Sequence, residues 1–99
     1  MNIVDSGTER RYYFGVNSKN MKNYKRIYQD PVQSNIEWTD IESLFKALGA
    51  EITEGAGSRI RVLLNGERAV FHRPHPESTT DKGAVKAVRR FLENAEVKL

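Results

Sequence analysis

The chain has 99 residues, with 16 lysines and arginines against 13 acids, a net charge of +3 and no cysteine. A chain this short forms one domain that buries roughly 60 to 70% of the surface its unfolded form exposes, which excludes a two-lobed enzyme. Without cysteine there is no disulfide framework, thiol nucleophile or cysteine zinc site, and with no apolar run near the roughly 18 residues of a membrane span the chain is expected to be soluble and cytoplasmic, away from membranes.

Residues 1–16 combine turn formers with the basic-aromatic cluster ERRYYF and show no sustained period, so they read as a flexible or loosely docked extension to a domain over 17–99. From Ser18, a plausible cap, Met21, Tyr24, Ile27 and Tyr28 recur at helical spacing until Pro31. Ile36 and Trp38 then alternate. TDIE follows as a capping box, in which the Thr39 hydroxyl and the Glu42 carboxylate would satisfy each other's amides. Ile41, Leu44, Phe45 and Leu48 make the apolar stripe of a helix that Gly49 stops.

AEITE, a glycine turn and the stretch GSRIRVLLNGERAVFHRPHP come next. Asn65-Gly66 between alternating apolar residues is a strong hairpin signal, because a type I′ turn needs positive φ at both central positions. That turn pairs Leu64 with Glu67 and predicts the whole register. Ile60 opposes Phe71 and Val62 opposes Ala69 on the core face. On the other face Leu63 opposes Arg68, Arg61 opposes Val70 and Arg59 opposes His72.

The last helix starts at Thr80 or Asp81. Val85, Val88, Leu92 and Ala95 line one side, and Lys82, Lys86, Arg89 and Arg90 the other. The predicted fold is α+β: a short N-terminal helix, then helix, three antiparallel strands and helix, with both helices of that unit on one face of the sheet. Trp38, Phe45, Phe71 and Phe91 fall at core periods and are expected to pack rather than to stack on bases.

Charge is unevenly placed. Between Ile36 and Gly57 five acids stand against Lys46 alone, whereas from Ser58 onward nine bases face five acids. An anionic partner is therefore expected on the second half. An H-x-x-H pair interrupted by proline, His72 to His75, is a poor match to structural zinc spacing, and no metal or small-molecule cofactor is expected. Nothing supplies a serine-histidine-acid order or a Walker-type phosphate loop.

From about Asn17 to Val97, on IEWTDIESLFKALGAEITEGAGSRIRV and RAVFHRPHPESTTDKGAVKAVRRFLENA, the chain resembles the HicA family of small toxins. The resemblance implies a double-stranded-RNA-binding-domain-like fold, endoribonuclease activity on mRNA and a HicB-like antitoxin partner. It also implies a catalytic histidine in a Gly-Ser-His motif at the start of the second strand. Here that place reads Gly57, Ser58, Arg59.

Metal-free RNA cleavage needs a base for the 2′-hydroxyl proton, an acid for the departing 5′-oxygen, and cations for the charge on the phosphorane. Arginine stays protonated and serves only as the clamp, while histidine suits the proton transfers. The candidates are therefore His72 or His75 for proton transfer with Arg59 on the scissile phosphate. Arg61, Arg68, Arg73, Lys82, Lys86, Arg89 and Arg90 are the expected RNA contacts, with Lys82 and Lys86 resembling the phosphate-straddling lysines of double-stranded-RNA-binding domains. A non-catalytic RNA-binding or antitoxin-binding module of the same fold is the alternative reading.

Overall fold

The computed structural model describes Tyr13 and residues 15–99. Most of the expected extension, including nearly all of ERRYYF, lies outside the described residues. Of its described part, Tyr13 and Val16 are half-buried against the core.

Helix α1 spans Ser18–Ile27 and is capped one residue earlier than expected. The Asn17 side chain accepts from the Asn20 amide at 2.9 Å, an equivalent short acceptor doing what Ser18 was expected to do. Strand β1 (Ile36–Glu37) runs directly into helix α2 (Trp38–Ala47). The Thr39–Glu42 capping box does not form. The helix starts at Trp38, before Thr39, and its cap residue Glu37 makes no side-chain cap bond. The Glu42 carboxylate instead accepts from the Trp38 indole N–H and the Arg73 guanidinium. A charge-assisted pair is roughly twice as strong as a neutral bond, so Arg73 wins the competition for this carboxylate. Gly49, at φ +91°, ends α2 in the left-handed conformation that its missing Cβ allows.

Strands β2 (Glu51–Glu54), β3 (Arg59–Leu64) and β4 (Glu67–His72) form an antiparallel sheet in the order β2-β3-β4. The β3–β4 register is the one the turn predicts, from Leu64 opposite Glu67 to Arg59 opposite His72. Asn65 and Gly66 sit at φ +53° and +83°, as a type I′ turn demands. Strand alternation sends Ile60, Val62 and Leu64 into the core. A second ladder, which the sequence did not signal, joins β1 to β5 (Thr79–Thr80) and ties the start of α2 to the start of helix α3 (Lys82–Asn94). Asp81 caps α3, its carboxylate accepting from the Ala84 amide at 2.8 Å.

The α+β architecture is the expected one. The aromatics meet where α2, β4 and α3 converge: the Phe45 ring lies 5.6 Å from Phe71 and 5.5 Å from Phe91, centroid to centroid. At the far end of the hairpin, Asn65 Nδ2 donates to the Ala95 carbonyl at 2.9 Å and to the Tyr13 hydroxyl at 3.2 Å, so one turn residue anchors both the end of α3 and the entering chain.

Thr80 is 0% exposed and its hydroxyl has no hydrogen-bond partner among the described residues. Burying an unpaired hydroxyl costs free energy that an isosteric apolar residue does not. Thr80→Val is therefore expected to leave stability unchanged or raise it by about 1 kcal/mol, read from urea unfolding. A loss of that size would mean the hydroxyl has a partner in solution.

Candidate nucleic-acid interface

The sheet's outer face is laid out in three rows. Glu51, Leu63 and Arg68 cross the first, Thr53, Arg61 and Val70 the second, and Arg59 with His72 the third. Arg59, Arg61, Arg68 and His72 are all exposed. By the alternation that follows from a two-residue loop, Arg59 and His72 fall at a non-hydrogen-bonded pair, where Cα atoms stand ~4.5 Å apart and side chains lie closest. His75 is exposed in the loop three residues beyond His72. Along α3, Lys82, Lys86 and Arg90 recur every fourth residue and are exposed, forming one cationic stripe.

Two expected contacts are occupied inside the fold. Arg73 donates to Glu42 through Nε at 2.7 Å and Nη2 at 3.1 Å, and to Glu54 through Nη1 at 2.7 Å and Nη2 at 2.8 Å. It thus bolts the chain after β4 to α2 and β2 together. Arg89 donates to the carbonyls of Ile27 at 2.6 Å and Gln29 at 2.7 Å and covers the Tyr28 ring at 5.7 Å. It satisfies carbonyls at the C-terminal end of α1, where a cation is favoured. Tyr28 in turn donates its hydroxyl to the Arg89 carbonyl at 3.3 Å, and burial, with Tyr24 and Glu93 adding to it, pushes its pKa up to about 12. Both guanidinium groups thus already spend donors on partners within the fold.

Spacing gave no sign of these partners, because each joins residues far apart in the chain. One signal was present: Glu42 falls between Ile41 and Phe45 on the stripe α2 buries, and a carboxylate on such a stripe needs a cation.

The clamp makes a pH prediction. Hydrogen bonds from Arg73 above all hold the Glu42 carboxyl below the ordinary range, against the opposing effect of burial, and they do the same for exposed Glu54. Arg73 is held above its own ordinary value and stays charged throughout. A carboxyl whose pKa folding lowers adds stability that is full above the unfolded value, near ~4.3, and is lost as pH falls through the folded value. Wild-type stability should therefore fall from about pH 5 toward pH 3, and less steeply in Glu42→Gln. Arg73→Met, which strands the largely buried Glu42 with only Trp38, should cost about 1 to 2 kcal/mol at neutral pH, softened by water reaching the half-buried guanidinium. Glu54→Gln should cost less. Chemical denaturation across pH reads all three, and equal pH slopes in wild type and Glu42→Gln would remove the clamp as a source of acid sensitivity.

Among the described residues, exposed basic side chains on the outer sheet face and along α3 give this small α+β domain a surface that attracts anionic groups. The family model described as HicA toxin of bacterial toxin-antitoxin matches residues 38–97, well over half of the chain. The chain belongs to this family of toxins, and membership implies an antitoxin partner. Among curated proteins, and among solved structures, nothing matches it. Among the described residues no helix is long and apolar enough to cross a membrane.

Proposed function

We propose that this toxin is a metal-independent endoribonuclease that acts on mRNA in the cytoplasm and is restrained by a HicB-like antitoxin. Arg59 binds the scissile phosphate, and His72 or His75 carries out proton transfer. The observation that supports this most is the cross-strand pairing of Arg59 with His72 on the outer face, which puts an imidazole beside the position where the family resemblance implies a histidine. With the phosphate on the guanidinium, an imidazole takes the 2′-hydroxyl proton, the 2′-oxygen attacks phosphorus to close a 2′,3′-cyclic phosphate, and the 5′-oxygen leaves with a proton drawn from water, to which the imidazolium returns its own. The guanidinium faces the charge that builds on the phosphorane oxygens. Lys82, Lys86 and Arg90 supply further phosphate contacts along α3.

A second reading has an observation of its own. The position where the family resemblance implies a histidine holds Arg59, and arginine as a residue type clamps phosphate rather than transferring protons, which favours a module of the same fold that binds RNA or antitoxin without cutting. Expression without antitoxin separates the two. Growth arrest with broken mRNA that disappears in His72→Ala or His75→Ala supports the nuclease, and an inert wild-type chain that still binds RNA supports the module. Full activity in both histidine variants would sink the assignment of these residues.

A further inference from the structure

The loop after β4 carries an exposed histidine, yet it is held at both ends. At its start the Arg73 amide donates to the Ser58 carbonyl at 2.9 Å, continuing the hairpin one step past Arg59 and His72. The Arg73 guanidinium is fastened to Glu42 and Glu54. At the loop's end the Ser78 carbonyl accepts from the Trp38 amide at 2.9 Å. Trp38 also donates its indole N–H to Glu42, so one carboxylate on α2 joins the anchors of both ends. Between those anchors, residues 74–77 make no backbone hydrogen bond among the described residues.

His75 stands between Pro74 and Pro76. Each proline fixes its own φ and keeps the residue before it out of the helical region, so the His75 backbone has few conformations left once the loop ends are placed. Two residues of chain span at most ~7 Å, which keeps His75 close to the corner where Arg73 pairs with Ser58, next to Arg59. A side chain that must meet a reacting atom works best on a support locked by hydrogen bonds and packing behind it. We infer that Arg73 and Glu42 are positioning residues, which hold the 74–77 loop so that His75 transfers the proton at a phosphate bound by Arg59. This role rests on the ribonuclease reading and narrows it to one of the two histidines.

The test combines cleavage kinetics on an end-labelled mRNA transcript with NMR relaxation of the protein alone. Arg73→Met should lower kcat by about 10-fold or more, since misplacing a reacting group by about 1 Å can cost about 10²-fold. KM should change little, because Arg59 and the exposed cations of α3 are intact. Arg73→Lys keeps the charge without the fork and should recover part of kcat. The His75 and Glu77 amides should have order parameters near ~0.85 in wild type and below ~0.6 in Arg73→Met. In a double-mutant cycle, Arg73→Met should cost no further activity on a His75→Ala background, where no imidazole is left to place. Ile27→Val, a core change on α1, should destabilise the fold without altering kcat, which separates placement from unfolding. An Arg73→Met loss that persists undiminished in His75→Ala would overturn the inference, as would a loop that stays rigid without Arg73. A wild-type chain that cuts mRNA with an equal kcat in Arg73→Met removes this role alone. A wild-type chain that cuts no mRNA removes the ribonuclease reading and the role with it.

Discussion

On the proposed ribonuclease reading, replacing the proton-transferring histidine is expected to slow RNA breakage by about 10²- to 10⁴-fold, the usual contribution of positioned acid-base groups. If that residue is His72, His72→Ala shows the loss and His75→Ala shows little, and the reverse holds if it is His75. Arg59→Ala should cost about 10²- to 10³-fold, as does removing a donor that faces charge developing in the transition state. Arg59→Lys keeps the charge but not the planar fork and should recover only part of the loss. All three positions are exposed. Their substitution should move thermal stability by no more than about 0.5 kcal/mol, so lost activity cannot be ascribed to unfolding. A substrate with 2′-deoxyribose at the cleaved step should be inert, because the attacking oxygen is gone. Arg59→His tests the origin of the site directly. If the native chain is silent and Arg59→His cuts RNA, the fold has kept everything for cleavage except the imidazole at this position, and the binding-module reading is the correct one.

How much of this was legible depended on how local each cause is. The hairpin register could be read because Asn65 and Gly66 must both take positive φ, a demand satisfied within four residues. Placing Arg59 opposite His72 followed from that turn alone. The stripe of α2 and the Asp81 cap of α3 are equally local. Glu42 shows the opposite case. A Thr-x-x-Glu pattern at the start of an apolar stripe satisfies the capping-box rule completely, yet the carboxylate pairs with Arg73, 31 residues away. Arg89 likewise reaches back 62 residues to the Ile27 carbonyl. An arginine in a sequence has no address, so a count of bases overstates the number free for phosphate. The β1–β5 ladder is too short to carry a period.

The stability of the whole domain should be most sensitive at Phe45. It is 0% exposed on α2; its ring meets Phe71 of β4 tilted at 33°, and stands edge-on to Phe91 of α3 at 76° and to Trp38 at 83°, the last with centroids 6.4 Å apart. Edge-to-face contacts of this kind add to simple area burial, because the electropositive ring edge points at the electronegative face. Phe45→Ala removes all three contacts at once and opens a cavity among side chains belonging to three different elements. The elements are fixed by other bonds: β1–β5 pairing sets the start of α2 and α3, and Asn65 holds the end of α3, so the walls cannot collapse inward freely. The expected loss is about 3 to 5 kcal/mol, a large share of the 5 to 15 kcal/mol that holds a typical domain together. Phe45→Leu fills most of the space and should lose about 1 to 2 kcal/mol. In urea unfolding the midpoint should fall in that order with the slope unchanged, since neither variant alters the surface exposed on unfolding by much. A Phe45→Ala loss below about 1 kcal/mol would show that the cluster repacks around the gap, and the aromatic junction would then not be what joins the helices to the sheet.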